Sequence, residues 1–522
     1  MQKATSTVSG TNRRSSLSQK NSFLSALCLL ALVLLAVALA EKASAQTQDP
    51  LLNTLIKKGI LTEEEAKTIK TESEASMTNA PAPSASKWKI GEGLKNIEIY
   101  GDMRLRFEDR MAVTPVDDYV RLDRLRYSLR FGLRGELYDD FNYGFRLDTS
   151  SNPRSAWVTF GSSTSGTPFQ GPFGKSTGSL DVGQIYLGWK AAKWFEITLG
   201  KMANPLYTTP MVWDPDLNPE GAAERFKYTV GQADFFANFG QFLYQDVNPT
   251  HTAPFLFPNI PLGQSKSLPF LLAWQGGLTY HIDKDLSFKA AATLYNYTGH
   301  GQNTAPGGSP AVPGFSDSFV GEGAGVPVNG ASGFPGGPNN GFAFNQTGIN
   351  DLLILNVPFE VNFKIAGLNA RVFGDYAQNL AGSDRANAAV TAAQTNTPSV
   401  VIPLHKDDTK AYQFGLALGN GTDLGAAKKG NWEARAYWQH SEQYSLDPNL
   451  IDSDFFEGRL NMQGVYVGFT YFLTDALYGS ARYGYGKRIN NDLGTGGANQ
   501  DIPQVNPIKQ YSIFQFDVGV KF

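Results

Sequence analysis

Arg104 and Arg106, then Arg124, Arg126, Arg130 and Arg134, stand at even positions of two segments, and Arg146 continues the series in a third. In an extended chain residues two apart share a face, so each segment carries far more arginine on one side than a strand on a protein surface needs. Such a face either pairs with carboxylates of neighbouring strands, here Glu98, Asp102, Glu136 and Asp148, or presents fixed charge to a water-filled space. For a single arginine both readings stand; the cluster favours the second.

Other reactive patterns are thin. His251, His281, His300, His405 and His440 show no metal-ligand spacing, and no Ser-His-acid arrangement assembles around them. No catalytic residue, metal site, cofactor or enzymatic activity is therefore expected. The run Asp214, Asp216, Glu220 has the oxygen ligands a calcium ion takes, but Pro215 and Pro219 favour a packed loop. Cys28 is the one cysteine, so a chain lacking its N-terminus has neither disulfides nor thiol chemistry. Lysine and arginine number 45 against 48 acids, a balance that excludes a nucleic-acid binder on electrostatic grounds.

The elements that must carry these arginines read as strands. Ile97, Ile99, Met103, Leu105 and Phe107 alternate with the first arginine face, and Leu125, Tyr127, Leu129, Phe131, Leu133 and Leu137 with the second. At the other end Phe514, Phe516, Val518, Val520 and Phe522 form an outward apolar series, opposed by Tyr511, Ile513, Gln515, Asp517, Gly519 and Lys521. One face suited to lipid and one to water is the signature of a transmembrane β-strand, and the terminal series reads as a closing strand that signals assembly.

Further segments of this kind lie near 141–149, 179–190, 194–202, 223–230, 233–243, 270–282, 286–297, 352–364, 368–379, 411–419, 432–439, 463–473 and 477–487. The expected fold is all-β, a transmembrane antiparallel barrel of about 16 strands, within a range of roughly 14 to 18. Connection lengths support it. Long segments at 108–123, 150–178, 203–222, 244–269, 298–351, 380–410, 440–462 and 488–509 alternate with brief turns such as Asp139-Asp140 and Ala366-Gly367. That is the rhythm of outward loops and periplasmic turns. The turn at 420–431 is longer than this scheme wants, and the break near Gly231 is poorly marked.

Ahead of the barrel, Lys3, Arg13, Arg14 and Lys20 precede an apolar run from Phe23 to Ala40 and an Ala43-Ser44-Ala45 site. This reads as a cleaved signal peptide over 1–45. Asp49-Pro50 opens a short helix ended by Gly59, and Thr62 with Glu65 caps a second, giving a periplasmic helical hairpin over 46–70. Residues 71–94, with Pro81 and Pro83, read as a flexible linker, and 95–522 as the outer-membrane barrel.

The loop after Leu199-Gly200-Lys201 contains Trp213-Asp214-Pro215-Asp216-Leu217 and then Glu220-Gly221. With Phe373-Gly374-Asp375-Tyr376, Asp452-Ser453-Asp454-Phe455 and the terminal Phe522, it resembles general diffusion porins and, more closely, the bacterial putative porin family of the Gram-negative outer membrane. The likeness covers nearly all of the chain after the signal. It implies a third loop folded into the barrel, a constriction where Trp213, Asp214, Asp216 and Glu220 face the wall arginines, and passive diffusion of small hydrophilic solutes and ions. Opposed charges across a narrow gap orient polar solutes and set ion preference.

It also implies a homotrimer, although a monomer is compatible with the sequence. Outer-membrane lipid, lipopolysaccharide and the barrel-assembly machinery are the partners this location brings. A substrate-specific channel for a sugar or an anion such as phosphate is the rival reading, with Tyr466, Phe472 and Tyr478 as a sugar slide or as filler and girdle. A surface adhesin or structural barrel is a third, suggested by the Gly-rich segment 298–348, which is more simply a lid.

Overall fold

Period-two alternation becomes a closed antiparallel barrel in the computed structural model, which describes residues 93–115, 117–150, 155–161, 179–244, 270–298, 351–387, 405–421, 426–495 and 508–522. The signal peptide and helical hairpin expected from the sequence, the linker up to residue 92 and the glycine-rich lid from residue 299 lie outside the described residues; Leu94, expected in the linker, instead bridges to Leu137. The strands are β1 (Glu98–Val113), β2 (Tyr119–Glu136), β3 (Phe141–Ser150), β4 (Val158–Thr159), β5 (Ser179–Ala192), β6 (Phe195–Lys201), β7 (Glu220–Val230), β8 (Ala233–Leu243) and β9 (Phe270–His281). They continue as β10 (Ser287–Thr298), β11 (Leu353–Ile365), β12 (Leu368–Asn379), β13 (Lys410–Gly419), β14 (Trp432–Ser441), β15 (Met462–Phe472), β16 (Leu477–Arg488) and β17 (Gln510–Lys521). One helical turn, 382–387, is the described exception to the all-β character.

Sixteen of these strands are staves, each hydrogen-bonded to its neighbours in chain order. The barrel closes where β1 pairs with β17, from Asp102 opposite Lys521 to Val113 opposite Gln510. β4 is a two-residue piece of the second long connection. It pairs with β2 at Arg126 and Tyr127, above the point where β3 leaves β2. Closure gives every stave a paired neighbour on both sides, which is what allows strands to sit in hydrocarbon.

The two faces separate as the residues require. Ile99, Met103, Leu105, Leu125, Phe131, Leu199, Phe414, Val467 and Phe469 are exposed on the outside. Trp189, Tyr228, Tyr280 and Tyr471 belt one end, near the short turns, while Tyr412, Trp438 and Tyr485 belt the other, the two aromatic girdles of a membrane-spanning barrel.

The turns explain themselves locally. Asp139 and Asp140 have φ of 60° and 61°, and Ala366 and Gly367 have φ of 50° and 80°. Two consecutive positive φ values make the turn whose twist matches antiparallel strands. The poorly marked break near Gly231 is likewise tight, β7 ending at Val230 and β8 starting at Ala233.

The first connection differs from expectation. The segment 108–123 is not a loop: β1 and β2 run on to Val113 and Tyr119 as a tall hairpin. Asp109, Arg121 and Asp123 lie on its outer face, where Arg121 pairs with both acids at 3.0 and 3.1 Å. Charge on both faces makes the sequence read as loop, but beyond the lipid an extended strand needs no apolar side.

The closing seam ends on a close approach. Gly101 N donates to Phe522 O at 2.9 Å, and Phe522 N donates to Gly101 O at 3.1 Å. A Cβ on Gly101 would come within 2.3 Å of Arg130 O and 2.7 Å of the Phe522 ring. Gly101→Val and deletion of Phe522 should each lower the folded fraction several-fold, read as heat-modifiable migration. Gly93→Ala, which adds its Cβ to open space, should migrate as the parent. Normal migration of Gly101→Val would show that the close approach is dispensable.

Candidate functional site

The third long connection, 202–219 between β6 and β7, turns into the barrel. Met202, Leu206, Met211, Val212 and Trp213 are buried against Phe242, Leu271, Tyr295 and Ile354, inward residues of β8 to β11. Polar contacts fix the register. Tyr207 N donates to Gln275 Oε1 at 2.9 Å, and Gln275 Nε2 returns a bond to Tyr207 O at 2.8 Å. Thr209 Oγ1 donates to Asp375 on β12. On the opposite wall Gln184 of β5 holds Asn218 at 2.9 Å, and Arg130 of β2 binds Asp216. The loop thus crosses the lumen from wall to wall.

A second loop does the same. Residues 442–461, between β14 and β15, bury Tyr444, Leu446, Ile451, Phe455, Phe456, Glu457, Arg459 and Leu460. Sequence reading placed this segment outside as an extracellular loop; its density of apolar residues is the signal that it packs. Phe455 stacks on Phe456 at 3.9 Å and meets Tyr466 and Tyr437 at 5.5 and 5.6 Å. Wall glycines make room: a Cβ on Gly484 would strike Phe455, and one on Gly486 would strike Phe456. Tyr466 is thereby packed under the loop, while Phe472 and Tyr478 pack on each other at 5.6 Å, both buried. The three do not form a free aromatic track.

The two loops interlock. Asp214 N donates to Leu450 O at 2.6 Å, Asp452 N donates to Pro210 O at 3.0 Å, and Ser453 Oγ donates to Asp214 Oδ2 at 3.1 Å. A third element, Trp157 beside β4, is buried with the guanidinium groups of Arg106 and Arg104 at 3.9 and 4.6 Å from its ring centre, close enough for cation–π attraction.

The candidate arginines all sit on inward positions of β1, β2 and β3, but they divide by partner. Arg104 pairs with Asp102 at 2.9 Å, Arg134 with Glu98 at 2.7 Å, and Arg146 with Asp148 at 2.7 Å, as strand neighbours do. Arg124 binds Glu108 at 2.6 Å. Arg106 is buried between Asp517 at 2.7 Å and Asp454 of the second loop at 3.1 Å. Arg126 is buried near Glu108 and the Trp157 carbonyl. Arg130 holds an acid of the third loop, Asp216. Arg104, Arg130, Arg146 and Arg134 keep some side-chain exposure; Arg106 and Arg126 keep almost none.

The candidate loop acids divide as well. Asp216 faces the basic wall. Asp214 is buried in the loop junction. Glu220 is not brought to the lumen: it opens β7 and pairs with Lys201 at 2.6 Å, on the face that carries Leu199 outward. Trp213 is structural, its Nε1 donating to Leu217 O at 2.9 Å and its ring packed against Phe242 and Tyr295.

The loop carboxyls respond to these surroundings. The Arg130 and Arg104 guanidinium groups outweigh burial at Asp216 and hold its carboxyl below the usual range. Arg106, Arg110 and Arg482 do the same for Asp454. Burial pushes Asp214 well up, with Asp452 and Asp216 repelling its charge. Burial and the neighbouring Asp454 push Asp452 up to about 7.

Because Asp452 binds its proton more tightly here than at an ordinary 3.8, its contribution to the junction is full below about pH 4 and is lost as pH rises through about 7. Amide protection at 210–214 and 450–454 should therefore be higher at pH 5 than at pH 8, and Asp452→Asn should remove most of that difference. Equal protection at both pH values in the parent would show that the junction does not hold a protonated pair.

A family model described as "Putative porin" matches residues 112–311 of this chain, in line with the resemblance drawn from the sequence. No curated protein matches it. Among solved structures, an anion-selective porin from Comamonas acidovorans is similar at 7% identity, with 82% of this chain and 99% of that one covered and a TM-score of 0.40. The outer-membrane expressed OmpT of Vibrio cholerae is similar at 12% identity, with 83% and 100% covered and a TM-score of 0.36. The family match and the closed barrel with its lipid-type exterior point to a channel of the bacterial outer membrane rather than an enzyme.

Proposed function

We propose that this chain is a porin, exported by its N-terminal signal, through which small hydrophilic solutes and ions diffuse passively. The observation that carries the reading is the contact of Asp216 with Arg130, made by a loop that crosses the lumen to reach a wall where Arg104 and Arg146 keep some solvent exposure. Fixed charges of opposite sign flank the water there, so a solute with a dipole turns as it passes and an ion meets a selective field. The constriction acid is Asp216, with Asp214 holding the loops together beneath it. A homotrimer and contact with lipopolysaccharide belong to the same proposal, as does insertion by the barrel-assembly machinery through the outward series Phe514 to Phe522.

Planar-bilayer recording tests it. The purified barrel should conduct potassium chloride without an energy source. In a salt gradient, Arg104→Gln with Arg130→Gln should move the reversal potential toward cation preference, and Asp216→Asn toward anion preference. Both shifts should shrink as salt rises from about 0.1 M to about 1 M, because the screening length falls from about 10 Å to about 3 Å. Electrically silent membranes holding folded protein would overturn the channel reading and favour a surface or structural barrel.

A further inference from the structure

Below the third loop, at the short-turn end of the barrel, lies a cavity of about 960 Å³. It has the capacity of a small-molecule site, and neither the loop junction nor the Asp216 contact uses it. Tyr207 forms its roof; Glu196, Arg225, Lys227, Phe236 and Lys289 stand in its wall.

The charges there are unevenly satisfied. Arg225 pairs with Glu196 at 2.9 Å, and Asp234 accepts from Thr229 at 2.5 Å and faces His281 at 3.1 Å. Lys227 and Lys289 differ: among the described residues, neither ammonium has a carboxylate within ion-pair distance. Glu360 is the register partner of Lys289, yet it leans to Arg371 at 3.6 Å. The Lys289 ammonium instead sits 3.9 Å from the centre of the Tyr207 ring and 5.7 Å from that of Phe236.

Lys227 stands opposite Phe236 in the β7–β8 register. The Phe236 ring lies over Gly277, where any Cβ would strike it at 2.3 Å, so the ring is laid along the wall and the space before it stays open. Two ammonium groups outside any ion pair, with the Asp234 and Glu360 carboxylates nearby but not in contact, stand beside two aromatic rings in one cavity and ask for a ligand with a negative end and an apolar body.

We propose that this vestibule binds small organic carboxylates, with Lys227 and Lys289 holding the carboxylate and the Tyr207 and Phe236 rings covering the apolar part. The idea rests on the channel reading, and it names the solute class that would dwell on its way through. An ammonium–carboxylate contact is charge-assisted and short, and a ring-bearing acid gains from the two faces what an inorganic anion cannot.

Benzoate is the probe, with inorganic phosphate as the comparison. Calorimetry on the detergent-folded barrel reads binding whether or not the pore conducts, and bilayer recording reads block of the potassium chloride current. Benzoate should bind saturably and reduce the current, more strongly than phosphate does. Lys227→Gln with Lys289→Gln should weaken benzoate roughly ten-fold or more, and Phe236→Leu should weaken benzoate while leaving phosphate unchanged.

Heat-modifiable migration confirms that each variant is folded. A conducting channel with no benzoate heat and no block would overturn the site while keeping the porin. Equal response to benzoate and phosphate, or a double variant that binds like the parent, would overturn it too. A silent barrel that binds benzoate with these dependences would overturn the channel and keep the site.

Discussion

A peptide group that faces hydrocarbon has no water to bond to, and that requirement governs this structure. It is met by pairing β1 with β17, residues some four hundred positions apart in the chain. Once the sheet is closed, alternation has only one workable sense: apolar residues outward to lipid, the arginine-rich faces inward. The interior is then a polar space whose diameter is set by the number of staves. It is wider than wall side chains alone can fill, so the protein fills it with loops.

How the loops fill it decides the chemistry of the lumen. The inward segments are amphipathic in their own way, each carrying an apolar cluster that packs and a few acids that reach the wall. A buried guanidinium without a partner would be strongly destabilising, and Arg106 avoids this with Asp517 from the closing strand and Asp454 from the second loop. The ion pairs therefore serve as seating contacts: they set where each loop rests, and the wall charge that remains exposed is the remainder after seating.

The staves were legible because lipid and water impose opposite demands on alternate residues over ten or so positions. All sixteen emerged from that period, and their ends erred where the demand lapses, as at Asp109 and Arg121 above the membrane. The inward direction of Arg104 to Arg146 was equally legible from parity. Their partners were not. Whether Arg106 meets Asp102, Asp517 or Asp454 depends on a seam and a loop far along the chain, and no local pattern encodes it. Glu220 shows the same limit: it sits in an acidic run by sequence, yet strand β7 begins on it and parity turns it outward. The interior role of 442–461 left only a compositional trace, more leucine and phenylalanine than a solvated loop uses.

The bond from Ser453 to Asp214 spans 239 residues, and that from Arg106 to Asp517 spans 411. Contacts this distant in sequence form late, since the intervening chain must first be ordered. The third loop can find half of its seat when β12 is in place, but its junction with 450–453 has to wait for β14, and the Arg106 site waits for the last strand. The interior is consequently the final part of the molecule to be completed. Until the ends of the chain meet at β1 and β17, the wall is open along one side and the lumen lacks its filling, so closing the seam and seating the loops complete the molecule together.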